Sequence, residues 1–193
     1  NPHKDSGYYL IKMNEDDVEA LENDVTAVSA MFSSRYLATF EGESAECMSG
    51  IKERAAKGVV GAIKVPFVSF TGSERSRVSN FSSVKQLKDD ATYAPLYRLL
   101  TIFMEGSYAD YMEFLGEHKA AFGKYGFEEA LCTEKMRLLS LCSIASGVDE
   151  LQYSAVAREL QVEEADVEDW VIRGIMEDLI EAKLDQVDKL IIV

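Results

Sequence analysis

The chain has 193 residues, a formal net charge of −14, 47% apolar residues and 28% charged residues. That balance excludes a disordered acidic tail, because the apolar content suffices to close a core. No apolar run reaches the ~18 residues of a membrane-spanning helix, which excludes a bilayer-spanning role.

The start, Asn1-Pro2-His3-Lys4-Asp5, has no Met and no apolar h-region behind it. The expectation is a piece of a longer protein without a signal peptide. Only Pro2, Pro66 and Pro95 interrupt the chain, so helices can run long. Residues 15–32 place Val18, Leu21, Val25, Val28 and Phe32 on one helical face. Residues 44–64 predict a second helix with Ser44 as its cap, ending before Pro66. Residues 67–80 have the composition of a loop, and 82–87 read as a short helix. Residues 93–104 carry Leu96, Leu99, Leu100 and Phe103 at helical spacing. Gly106-Ser107 breaks that pattern, and Ser107 can cap a new helix bearing Tyr108, Tyr111, Met112 and Leu115. Gly123 and Gly126 bracket a turn. Thr133 is the expected cap of a helix over 133–145.

The last fifty residues change rhythm. An extended piece at 150–153 precedes a short helix at 154–160. The acidic run Glu163-Glu164-Ala165-Asp166 suits a helix start, and a long helix is predicted to continue to about Ala182. Residues 184–193 close with Asp185-Gln186 and the β-rich Leu190-Ile191-Ile192-Val193. Helix, strand, helix, helix, strand, turn, strand is the order of a winged helix.

A winged helix suggests DNA binding through its second long helix. Charge argues against it. Between Glu163 and Asp188 there are ten acids against only Arg173 and Lys183, and DNA affinity rests chiefly on cations that neutralise phosphate. Residues 51–89 are the opposite: eight Lys and Arg against Glu53, Glu74 and Asp89, a local balance of +5. That stretch could meet RNA or an acidic neighbour, or be a solvated face. Leu190-Ile191-Ile192-Val193 is core if it is an interior strand. As an exposed edge it needs another chain to cover it.

Catalytic patterns are absent. There is no nucleophile elbow, P-loop, H-E-x-x-H or G-x-G-x-x-G. Gly58-Val59-Val60-Gly61 mimics a G-x-x-G clamp but lies within a helical pattern. Cys47, Cys132 and Cys142 are too few and too scattered for a disulfide framework, and His3 and His118 do not complete a zinc site. His118 falls in a polar helix end. The expectation is no enzyme, no metal and no cofactor, in a reducing, cytoplasmic compartment.

Several stretches resemble one family. Tyr36-Leu37-Ala38-Thr39-Phe40-Glu41-Gly42-Glu43, Glu134-Lys135-Met136-Arg137-Leu138-Leu139-Ser140-Leu141, Glu159-Leu160-Gln161-Val162, Asp166-Val167-Glu168-Asp169-Trp170-Val171-Ile172 and Lys183-Leu184-Asp185-Gln186 follow in order. Together they resemble the PCI family, and within it the subunit-m branch of eukaryotic translation initiation factor 3, over residues 36–193. Leu99-Leu100-Thr101-Ile102-Phe103 and Gly106-Ser107-Tyr108-Ala109-Asp110-Tyr111 also resemble its paralogue, subunit 7 of the COP9 signalosome.

The resemblance implies a mainly α fold: helical-repeat (TPR/HEAT-like) hairpins followed by a winged helix with a small antiparallel sheet. Residues 1–35 would end a preceding repeat region, 36–132 would form the hairpins and 133–193 the winged helix. It further implies a non-catalytic scaffold in translation initiation. Its partners would be other PCI subunits (subunit a as a neighbour), MPN subunits and the small ribosomal subunit, with indirect RNA contact through 51–89. The implied subunit contact is Leu184, Asp185, Gln186, Leu190, Ile191, Ile192 and Val193 on the wing, with Tyr153 at the end of the extended piece and Val156 on the neighbouring short helix.

Overall fold

Apolar spacing becomes helix in nearly every place where it was regular. The structure, a computed structural model, describes residues 27–65 and 78–193. Of the helix expected over 15–32, the part before residue 27 lies outside the described residues. The rest, α1 (Ala27–Ala38), continues beyond Phe32. Ser44 caps α2 (Ala45–Gly50) by accepting from the Cys47 N–H at 3.4 Å. The single helix expected over 44–64 is two: Ile51 leaves helical geometry at φ −106°, ψ 8°, and α3 (Lys52–Lys64) begins after it. Gly50 weakens the helix just before the break, and the Ile51 side chain is buried there. Gly58 in α3 lets α1 approach closely, since a Cβ there would lie 3.0 Å from Leu37 Cδ1. The Gly58-Val59-Val60-Gly61 run is thus a helix-packing surface.

Of the loop expected over 67–80, residues 67–77 lie outside the described residues, and 78–80 are helical instead. α4 (Ser82–Lys85) passes into a 3₁₀ turn (Gln86–Asp89). α5 (Ala94–Glu105) has Pro95 in its first turn, where the missing N–H costs nothing. Ser107 and Asp110 form a reciprocal capping box at the start of α6 (Tyr108–Tyr125). α6 is irregular at His118 and ends on Gly126, whose φ of +62° is the left-handed cap.

The capping box carries a pH dependence. The Ser107 backbone N–H, then its hydroxyl, hold the Asp110 carboxyl below the usual carboxylate range. A lowered folded pKa means the stabilisation is present above the ordinary value of about 4 and is lost as pH falls through the depressed one. Ser107→Ala is expected to cost about 1 kcal/mol at pH 7. It should also flatten the loss of stability on acidification, as read from urea midpoints at pH 7 and pH 3.

α7 (Glu129–Ala145) starts a turn earlier than the sequence suggests. Thr133 is not its cap. Its hydroxyl donates back to the Glu129 carbonyl at 2.7 Å and lies 3.2 Å from the Tyr111 hydroxyl. Tyr111 is fully buried, with Phe103, Tyr108 and Phe122 rings around it. Burial pushes its phenol up to about 12. The folded state therefore holds that proton where the unfolded chain releases it, and stability falls as pH rises from about 10 towards 12. Tyr111→Phe is expected to cost about 1 kcal/mol at neutral pH and to make the alkaline slope shallower.

The remaining elements are β1 (Glu150–Gln152), α8 (Tyr153–Leu160), a 3₁₀ turn (Glu164–Asp166), α9 (Val167–Met176), β2 (Lys183–Asp185) and β3 (Leu190–Ile192). This is the winged-helix order expected. The sheet runs β1-β3-β2, both pairs antiparallel, with Leu151, Ile191 and Leu184 in register. β3 is therefore the central strand, so of the two readings of Leu190 to Val193 the interior strand holds and the exposed edge does not.

α9 also stops short of the expected Ala182. Asp178 adopts φ +53°. The Asp178 N–H bonds the Ile175 carbonyl at 3.1 Å and the Leu179 N–H bonds the Gly174 carbonyl at 2.9 Å, closing a Schellman turn. The chain then folds back so that Ile180 packs on Gly174, where an added Cβ would sit 3.2 Å from Ile180 Cδ1.

Two cores result. The larger joins α1, α3 to α6 and the first half of α7, through residues such as Leu37, Val59, Leu100, Phe114 and Met136. The smaller holds the winged helix: Leu141, Tyr153, Val156, Leu160, Val167, Val171 and Ile191.

Candidate protein-interaction module

Each stretch that carried the resemblance resolves into a joint. In Tyr36 to Glu43, Leu37 is buried against α3. Glu41 accepts from the Ser82 N–H at 2.6 Å and from its hydroxyl at 3.0 Å, which caps α4 across the fold. Arg54 lies over the Tyr36 ring and donates to its hydroxyl at 2.6 Å.

In Glu134 to Leu141 the three central residues point three ways. Lys135 Nζ donates to the Ile63 carbonyl at 2.6 Å and to the Val65 carbonyl, satisfying the C-terminus of α3 with a cation where the helix dipole favours one. Met136 is fully buried in the larger core. Arg137 turns to the wing. Its Nε donates to the Leu160 carbonyl at 3.0 Å and its Nη2 to the Gln161 carbonyl at 3.4 Å. Its guanidinium lies 4.8 Å from the Tyr108 ring centre and 5.3 Å from that of Trp170. One side chain thus links α6, α7, α8 and α9.

Glu159-Leu160-Gln161 supplies a core residue, Leu160, and a left-handed stop at Gln161, φ +51°. In α9, Glu168 gathers the wing. It accepts from Gln186 Nε2 at 2.8 Å and from the Tyr153 hydroxyl at 3.3 Å, with Lys189 Nζ at 3.7 Å. Burial, then the Glu168 charge, raises the Tyr153 phenol pKa and keeps it protonated as a donor. Asp185 Oδ1 accepts from the Val187 and Asp188 N–H groups at 3.0 and 3.1 Å, which sets the turn between β2 and β3. Sequence reasoning located these residues as parts of motifs but gave Lys135, Arg137 and Glu168 no role of their own.

The residues expected at a subunit contact divide into two groups. Tyr153, Val156 and Ile191 are buried in the smaller core, so their side chains do not reach a neighbour. Leu184 also packs against that core. Leu190 and Ile192 lie on the other sheet face, as alternation along a strand requires. They are flanked in register by Gln152 and Asp185, and by Glu150 and Lys183. Ile192 and Val193 are 43% and 40% exposed. The outer sheet face is thus a short apolar strip between polar residues.

The basic stretch is partly engaged within the chain. Lys52 pairs with Asp90 at 2.8 Å and Lys57 with Glu53 at 3.1 Å. Lys64 lies over Phe127. Lys85 and Lys88 are exposed, while Arg75 and Arg77 lie outside the described residues. His118 packs at 4.8 Å on Phe114 and is half-buried. Among the described residues, no group of His, Cys, Asp and Glu could hold a metal, and no helix is long and apolar enough to cross a membrane.

The helical stack shares α7 with the terminal winged helix, its motif residues are spent on joints, and its small sheet is open on one face. The PCI domain family model matches residues 115–193, and the chain carries that domain. Over a longer span the chain is similar to curated proteins named eukaryotic translation initiation factor 3 subunit M. The one from Nematostella vectensis is 30% identical over 157 residues, 81% of this chain and 38% of that protein. The one from Pyricularia oryzae is 30% identical over 160 residues, 81% of this chain and 36% of that protein. The one from Dictyostelium discoideum is 33% identical over 95 residues, 49% of this chain and 24% of that protein. The matches cover between about a quarter and little more than a third of the relatives' own length.

Proposed function

We propose that this chain is the PCI-bearing part of a subunit of eukaryotic translation initiation factor 3 and works as a non-catalytic scaffold in the cytoplasm. The observation that carries the reading is the similarity to subunit M proteins over 81% of the chain. A match of that length cannot lie in the winged helix alone. The geometry supports it: motif residues build joints, and the outer sheet face offers Leu190 and Ile192 to a neighbour. In this reading the winged helix packs sideways on another PCI subunit, subunit a being the expected neighbour, with MPN subunits and the small ribosomal subunit in the same assembly. A stable lateral contact of this kind buries more than about 1,000 Å². Indirect RNA contact through 51–89 would fall to Lys57, Lys85 and Lys88, which are exposed, rather than to Lys52 and Arg54, which bond Asp90 and Tyr36.

Affinity purification of the full-length protein with mass spectrometry of what accompanies it is the test. Initiation factor 3 subunits together with small-subunit ribosomal proteins are expected. Recovery of signalosome subunits instead would replace this reading by the paralogous one.

A further inference from the structure

Helix α9 has an outward side that the core does not use. Val167, Val171 and Gly174 are buried, whereas Ile172 and Met176 are 44% and 78% exposed. Residues four apart stack in one row on a helix, so Glu168, Ile172 and Met176 form a continuous ridge. Glu168 bonds Gln186 of the wing, and the next residue, Val187, is 91% exposed. Helix and wing together therefore offer apolar side chains to solvent beside their mutual joint.

The charges around that ridge are predominantly negative. Glu163, Glu164 and Asp166 precede the helix, Asp169 lies in it, Glu177 and Asp178 follow it, and Asp188 lies on the wing turn. Two of the three nearby bases face a carboxylate: Arg173 pairs with Glu134 at 2.9 Å, and Lys189 lies over Tyr153 beside Glu168, while Lys183 at the start of β2 is exposed. Exposed apolar side chains rimmed by charge mark interaction surfaces. An acidic rim of this kind excludes phosphate backbones and acidic peptides and favours cations.

We infer that the helix-and-wing face docks a Lys/Arg-rich amphipathic helix of a partner protein. Apolar side chains of the partner cover Ile172, Met176 and Val187, while its cations meet the surrounding carboxylates.

Fluorescence anisotropy on the full-length protein tests this with a labelled Leu/Lys amphipathic peptide of about 18 residues, long enough to hold a helix. A Leu/Glu counterpart and poly(U) RNA are the controls. The Leu/Lys peptide is expected to bind, and Met176→Glu or Ile172→Glu to weaken it about tenfold or more. Both substitutions add negative charge, so a merely electrostatic attraction would tighten instead. Tightening or no change overturns the inference, as does failure of the Leu/Lys peptide to bind or preference for poly(U). Asp169→Lys leaves the ridge intact, and circular dichroism shows whether each variant is folded. Asp169→Lys should also weaken the peptide, and unchanged affinity in that folded variant overturns the inference.

Discussion

Replacing Ile191 by Asp is expected to unfold the winged helix, while the same change at Ile192 leaves it folded. The two residues are neighbours on β3 but face opposite sides of the sheet. Ile191 is fully buried among Tyr153, Leu160 and Val171. A carboxylate there loses its hydration with no cation to replace it, and the aliphatic contacts are lost as well. The expected cost is more than about 4 kcal/mol, the range reserved for unpaired buried charge and core disruption. Ile192 is 43% exposed between Glu150 and Lys183. Its substitution by Asp should change stability by no more than about 0.5 to 1 kcal/mol. Guanidinium unfolding followed by circular dichroism separates the two. The pair also divides folding from assembly: under the proposed function, Ile192→Asp should yield a stable protein that recovers fewer neighbouring subunits.

Arg137→Ala should be strongly destabilising for the loss of one charged side chain. It removes two donors to the carbonyls that end α8 and a cation between the Tyr108 and Trp170 rings. Hydrogen bonds from a charged donor contribute about 1.5–3 kcal/mol, and a partly desolvated cation–π contact about 0.5–2. These contributions overlap, so the expected loss is about 2–4 kcal/mol. Arg137→Lys should recover little of it, because an ammonium cannot lie flat between two rings and reach two carbonyls at once. Near-complete rescue by lysine would show that charge alone matters there.

The helices of the hairpin region were legible because their apolar residues repeat at helical spacing, and Ser44 and Ser107 are caps that work locally. The winged-helix order was legible too, since short apolar runs alternate with helical ones. What was not legible is tertiary. Asp178 breaks α9 although Leu179 and Ile180 continue its apolar rhythm, and only the pocket at Gly174 reveals where Ile180 goes. Thr133 looked like a cap because a hydroxyl serves equally to start a helix or to bond back one turn inside it. Strand order is a matter of pairing partners, so Leu190 to Val193 could be read as edge or centre. Ile191 and Ile192 are the same residue type in sequence and opposite in fate. The roles of Lys135 and Arg137 depend on carbonyls from distant segments, which no spacing rule encodes.

Helix α7 sits in both cores: Cys132 and Met136 belong to the larger and Leu141 to the smaller. No flexible tether separates hairpins from wing, so their orientation is inherited from one rigid rod. Denaturation should accordingly show a single cooperative transition rather than two. A load applied at the sheet has a direct path along that helix to the end of α3, where Lys135 holds the Ile63 and Val65 carbonyls.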